Sequence, residues 1–128
     1  MRVLMLSWEY PPRIVGGISR HVYDLSRALA WRGIQVDVVT CEHPGAPEVE
    51  VDGNLAVYRV PVAPGDDFIH WVHNLNTATE AHVEKLLTPP APAKKKTARR
   101  KKTESTPQPV LNGPTVIHAH DWLSAFAG

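Results

Sequence analysis

The sequence predicts an α/β domain built on a mainly parallel sheet, and three observations carry that expectation. A buried-strand pattern, Val3-Leu4-Met5-Leu6, breaks into a loop holding Pro11, Pro12 and the pair Gly16-Gly17, and then enters a helical pattern. A second strand pattern, Val36-Asp37-Val38-Val39, completes a strand–helix–strand unit, whose crossover is right-handed in nearly all folds. A third, Thr115-Val116-Ile117, runs into the polar cluster His118-Ala119-His120-Asp121-Trp122. Ligand sites in open parallel sheets lie beyond the carboxyl ends of the strands, where both polar clusters fall.

Each element has its own signal. The first strand covers roughly Val3 to Trp8. In the helix after Gly17, the apolar residues Ile18, Val22, Leu25 and Leu29 mark one buried face. Arg20, Asp24 and Arg27 are helical neighbours on the solvent side. Gly33 stands where a glycine ends a helix by taking the left-handed backbone. Val49-Glu50-Val51 and Leu55 to Val60 flank Asp52-Gly53, which reads as a hairpin or a strand with a short partner. Phe68 to Leu87 carries a helical apolar pattern through Ile69, Val72, Leu75, Val83, Leu86 and Leu87, against which the polar stretch 74–79 argues. Residues 88–114 have the composition of a disordered basic linker, prolines among lysine, arginine, threonine and serine. Residues 1–87 are thus expected to form the first part of a domain, and 115–128 its continuation, cut off as a helix begins.

Composition narrows the class of protein. The net charge of +1 averages two unlike regions: residues 94–104 hold seven of the fourteen basic residues and one of the thirteen acidic ones. The remainder carries seven basic against twelve acidic residues, a balance of −5. The single cysteine, Cys41, excludes an internal disulfide and a multi-cysteine metal site. The first apolar run is short and meets Glu9 at once, unlike a signal peptide. No segment approaches the ~20 apolar residues of a membrane span. The expectation is a soluble, cytoplasmic protein.

The candidate chemistry lies in the two clusters. Gly16-Gly17 lets backbone N–H groups approach a phosphate at a helix start, or simply makes a tight turn. The full Gly-x-Gly-x-x-Gly fingerprint is absent, which demotes Glu42 as a ribose-binding acid. His118 and His120, two apart at a strand end, share one face. They do not complete a metal site: in the hydrolase-like pattern His-x-His-x-Asp-His, Trp122 and Leu123 occupy the last two places. A histidine facing the cleft can hydrogen-bond a sugar hydroxyl or a developing charge. A buried, satisfied imidazole is the plainer role, expected for His118 more than for His120. Asp121 reads first as a helix N-cap. Glu9 and Arg13 are candidates for a substrate rim. Trp8 and Trp122 suit packing better than sugar stacking, and His70 and His73 are expected at the surface. The basic run Lys94 to Lys102 lacks interleaved aromatics, so a solvated tether outweighs nucleic-acid binding.

The run Met5-Leu6-Ser7-Trp8-Glu9-Tyr10-Pro11-Pro12-Arg13-Ile14-Val15-Gly16-Gly17-Ile18, the helix with Leu25-Ser26-Arg27-Ala28-Leu29, and His118-Ala119-His120-Asp121-Trp122 closely resemble retaining GT-B glycosyltransferases. The nearest likeness is to glycogen and starch synthases and their group-one (family 4-like) kin. The resemblance covers most of the chain outside 88–114. It implies an incomplete Rossmann-like domain, the amino-terminal, acceptor-side portion of a two-domain enzyme. It implies transfer of a hexose, glucose first, from a sugar nucleotide such as ADP-glucose or UDP-glucose to a glycan acceptor. That donor is a substrate; no separate cofactor and no metal are implied. The resemblance places the donor-phosphate loop at Gly16 and Gly17 and the active-site histidine at His120, with His118 in support. It also implies that the chain is a gene fragment or one piece of a split enzyme whose carboxyl-terminal half is a separate partner, and that alone it is inactive. Two other classes stay open: a nucleotide- or dinucleotide-binding module, and an adaptor that binds nucleic acid through its basic segment.

Overall fold

The computed structural model describes residues 1–88, 114–121 and 123–124. Strands β1 (Arg2–Leu6), β2 (Gln35–Cys41), β3 (Val49–Asp52), β4 (Leu55–Val60) and β5 (Thr115–Ala119) form one sheet, with helices α1 (Gly17–Trp31) and α2 (Phe68–Leu87). The sheet order is β3-β4-β2-β1-β5. All pairs are parallel except β3 with β4, whose antiparallel register sets Asp52 opposite Leu55 around Gly53. The mainly parallel α/β expectation is met.

Alternation along the strands builds two apolar layers. Val3, Met5, Val36, Val38, Leu55 and Val57 pack with Val22 and Tyr10 on the α1 face. Leu4, Leu6, Val39 and Val60 pack with Val83 on the α2 face. Burial on both faces explains why β1 reads as a continuous apolar run. At the carboxyl end of α1, Gly33 takes φ 81° while its N–H bonds to Ala30 and that of Ile34 to Leu29. That is the glycine-terminated cap expected there.

Helix α2 forms in spite of its polar middle, and the reason is visible. The Asn76 Nδ2 donates to the carbonyls of Val72 and Leu123, both at 2.8 Å, and Thr79 is buried. Asn76 and Thr79 of the polar stretch therefore face inward, and Asn76 bonds beyond the helix. Of the apolar residues expected inside, Ile69 is 66% exposed and Leu87 37% exposed, so the apolar face is narrower than its pattern. The Asp67 side chain caps the helix by accepting from the His70 N–H at 2.7 Å. His70 and His73 are exposed, as expected.

The β1 and β5 strands are parallel neighbours, with Met5 opposite His118 and Leu6 opposite Ala119. The ends of the first strand and of the Thr115 strand thus meet at one edge of the sheet. The expectation of a disordered segment falls, apart from Thr88 and Pro114, outside the described residues, as do those for Trp122. No helix among the described residues is long and apolar enough to cross a membrane.

Candidate functional site

The glycine loop is shaped by Glu9. Its carboxylate accepts from the backbone N–H groups of Val15 at 2.8 Å and Gly16 at 2.7 Å. Glu9 is only 2% exposed, which corrects its expected place on an exposed rim. A carboxylate accepting two N–H bonds is a strong brace. A Cβ at Gly16 would rest 3.6 Å from the same carboxylate, whereas one at Gly17 would meet nothing within 4 Å. No side chain caps α1 at Gly16. Gly17 therefore borders open space at a helix start whose first N–H groups have no intrahelical acceptor.

The histidines sit beside the end of β1. The His120 N–H donates to the Leu6 carbonyl at 2.8 Å. The imidazole is 7% exposed, and its Nε2 is buried without a hydrogen-bond partner. Burial first, then His118, then His21, push its pKa down to about 4, so the ring is neutral at physiological pH. The His118 ring lies 4.1 Å from it, centroid to centroid. The two residues do share a face, but their expected burial is reversed: His118 is exposed and His120 is buried. The cause is position. His118 lies on the strand at the sheet edge, while His120 is beyond the strand, tucked toward Leu6 and Ser124.

Asp121 follows with φ 75°, a left-handed conformation that aspartate tolerates better than most residues. Its backbone carbonyl accepts from the Ser124 N–H at 3.3 Å. Ser124 Oγ donates to the His120 carbonyl at 2.6 Å and lies 3.2 Å from the Leu6 carbonyl, which shares the same proton. A buried hydroxyl thus ties the end of β1 to the turn that holds His120.

Arg13 stays near the surface but is not free-standing. Its guanidinium lies 5.7 Å from the Trp8 ring and 5.7 Å from the Trp71 ring, a cation–π arrangement. The Trp8 and Trp71 rings meet edge to face at 6.3 Å, so packing is what Trp8 does. Three other contributors carry no signal in local sequence. Ser19 Oγ donates to the Arg13 carbonyl at 3.1 Å. Arg59 donates to the carbonyls of Pro11 at 2.9 Å and Pro47 at 3.1 Å. His21, on α1, meets the His120 ring edge to face at 5.5 Å; only its place one turn into the helix after Gly-Gly could have pointed to it.

Two hollows among the described residues are lined by residues other than His118 and His120. One of about 570 Å³, lined by Arg27, Trp31, Asp52 and Asn54, sits at the opposite edge of the sheet. Another of about 550 Å³ is bordered by Glu42, His43, Glu48 and Arg59. Among the described residues no group of three or more His, Cys, Asp or Glu is arranged to hold a metal ion.

Comparison with known proteins places this geometry in context. A family model described as starch synthase catalytic domain matches residues 2–128. The chain is 35% identical to glycogen synthase of Mycobacterium tuberculosis over 136 residues, covering 98% of this chain and 29% of that protein. It is 30% identical over 128 residues to an uncharacterized glycosyltransferase of Methanocaldococcus jannaschii, covering 100% of this chain and 27% of the other. The chain therefore spans under a third of the length of these relatives. Among solved structures, sucrose-phosphate synthase from Thermosynechococcus elongatus matches with a TM-score of 0.50 at 23% identity, over 66% of this chain and 24% of that one. That likeness concerns the fold alone.

Proposed function

The chain belongs to the starch synthase catalytic domain family, and on that premise we propose that it forms the acceptor-side wall of a glycosyltransferase. The reaction moves a hexose, glucose first, from a nucleoside-diphosphate sugar such as ADP-glucose or UDP-glucose to a glycan. One observation carries the reading: a buried, neutral imidazole, His120, holds an unpartnered Nε2 at the sheet edge where the Gly16-Gly17 loop opens. A neutral ring can donate to or accept from a sugar hydroxyl without bringing a charge that would compete for the diphosphate. Gly17 leaves room for a phosphate to approach backbone N–H groups at the start of α1. Glu9 holds the loop open by fixing the Val15 and Gly16 N–H groups. Arg13 adds positive charge near the same edge, and His118 supports the His120 ring.

Transfer depends on positioning and charge stabilisation across a cleft with two walls. Residues 1–128 offer one wall, and the groups that hold the leaving diphosphate belong to the remaining length that the relatives possess. The reading is tested by assaying residues 1–128 alone and fused to the remaining length of a matched glycogen synthase, with ADP-glucose or UDP-glucose and a glycan primer. Transfer is expected from the fusion only. In the fusion, His120→Ala lowers turnover by ~10²-fold or more, as for loss of one preorganised polar group. Robust transfer by residues 1–128 alone sinks the two-wall argument, and an unaffected His120→Ala moves the role to His118.

A further inference from the structure

We infer that His21 is a positioning residue that acts through His120: its ring, reaching from α1 across the end of β5, fixes the orientation of the His120 imidazole. The inference rests on the proposed role of His120, but its geometry does not. Ile18, Val22 and Leu25 point α1 toward β2 and β4, so the helix leaves Val116 and His118 of β5 exposed. His21, on the flank of that face, meets His120 edge to face at 5.5 Å and 64°. His118 packs against the same ring at 4.1 Å and 35°. The His120 ring is thus in contact with two imidazoles while its Nε2 keeps no partner. With no hydrogen bond at that nitrogen, packing against the neighbouring rings bears on the rotation of the imidazole.

The same contact has an electrostatic side. The titratable groups that bear on His120 are His118 from β5 and His21 from α1, both of which oppose its protonation. From β1 the contact is the Leu6 carbonyl with the His120 backbone N–H, and Ser124 bonds only to carbonyls. His21 is solvent-exposed, so its removal leaves no buried cavity.

The test reads imidazole nitrogen and carbon-bound proton signals by NMR in residues 1–128, across pH, for the parent chain, His21→Ala, His21→Phe and His118→Gln. The parent His120 is expected in one ring orientation, read from the contacts of its carbon-bound protons, and to titrate at about 4. In His21→Ala the ring samples more than one orientation and its midpoint rises by about half a unit; His118→Gln raises it further. His21→Phe keeps the edge contact without a titrating nitrogen, so it restores the single orientation while the midpoint stays raised. A His120 orientation unchanged in His21→Ala overturns the inference, as does failure of His21→Phe to restore it. If the alanine variant does not fold, His21→Gln, which removes the ring and keeps a side chain of similar length, is read in its place. No donor or acceptor is present, so failure here leaves the transfer reading standing, and failed transfer leaves the ring geometry standing.

Discussion

Arg2 and Asp37, at the amino-terminal edge of the sheet, and His120, at the opposite edge, are comparably buried and differently satisfied. Arg2 Nε donates to Asp37 at 2.5 Å and its Nη1 donates to the Leu86 carbonyl at 3.1 Å. These charges answer each other through Asp37 Oδ2, while Asp37 Oδ1 makes no hydrogen bond, and they join β1, β2 and the end of α2. At the other edge, His120 Nε2 and Arg13 Nε have no partner, Asp121 adopts a left-handed backbone, and the Gly17 Cβ position is empty. Polar groups closed on one another stabilise a fold, while buried ones left open cost free energy that a packed core does not require. The contrast separates the edge whose charges are paired from the edge proposed to face the substrates.

The contrast is sharpest in stability. Asp37→Ala strands the Arg2 charge in the core and is expected to lower the unfolding free energy by about 3–5 kcal/mol in urea titration. A loss below ~1 kcal/mol would show that the amino-terminal edge is no anchor. The next effect belongs to His120 and to pH. Its folded pKa lies below the ordinary 6.5, at about 4, so between these values the unfolded chain binds the proton more readily. The stability held by the neutral ring is complete above pH 6.5 and is lost as pH falls through about 4, a loss of roughly 3 kcal/mol. Thermal melts across that window should show the decline, and His120→Phe should flatten it.

Smaller effects probe the loop. Glu9→Gln keeps an acceptor but removes the charge from two N–H bonds, and should cost about 1–2 kcal/mol while speeding proteolysis between residues 10 and 16. An unchanged cleavage rate would mean that other contacts hold the loop. The least effect is expected at Gly17. Gly33→Ala, at φ 81°, should destabilise by about 1 kcal/mol. Gly17→Ala should change stability by less than ~0.5 kcal/mol, yet impair donor use in the fused enzyme by crowding the phosphate. Equal destabilisation by the two would remove the distinction between a structural glycine and a functional one.

The strands, both helices and the hairpin were legible because their signals are local: the periodicity of Ile18, Val22, Leu25 and Leu29, the Asp52-Gly53 turn and the stop at Gly33. The meeting of the two clusters at one edge was legible from the rule for parallel sheets. The internal wiring was not. The Arg2–Asp37 pair depends on the register that sets Leu4 opposite Asp37, a contact across 35 residues. The inward turn of Glu9 depends on where Val15 and Gly16 fold back. The polar middle of α2 looked unfit for a helix because the partner of Asn76 is the carbonyl of Leu123, 47 residues away. His21 offered only an exposed helical position until β5 was placed beside β1.

Arg59 carries a consequence of its own. One guanidinium grips the carbonyl of Pro11, in the loop that leads to Gly16-Gly17, and the carbonyl of Pro47, beside the hollow bordered by Glu42, His43 and Glu48. It also takes the Glu50 carboxylate at 3.1 Å. Two loops 36 residues apart in the chain thus share one guanidinium as their anchor, so the shape of the glycine loop and the rim of the hollow rest on the same side chain.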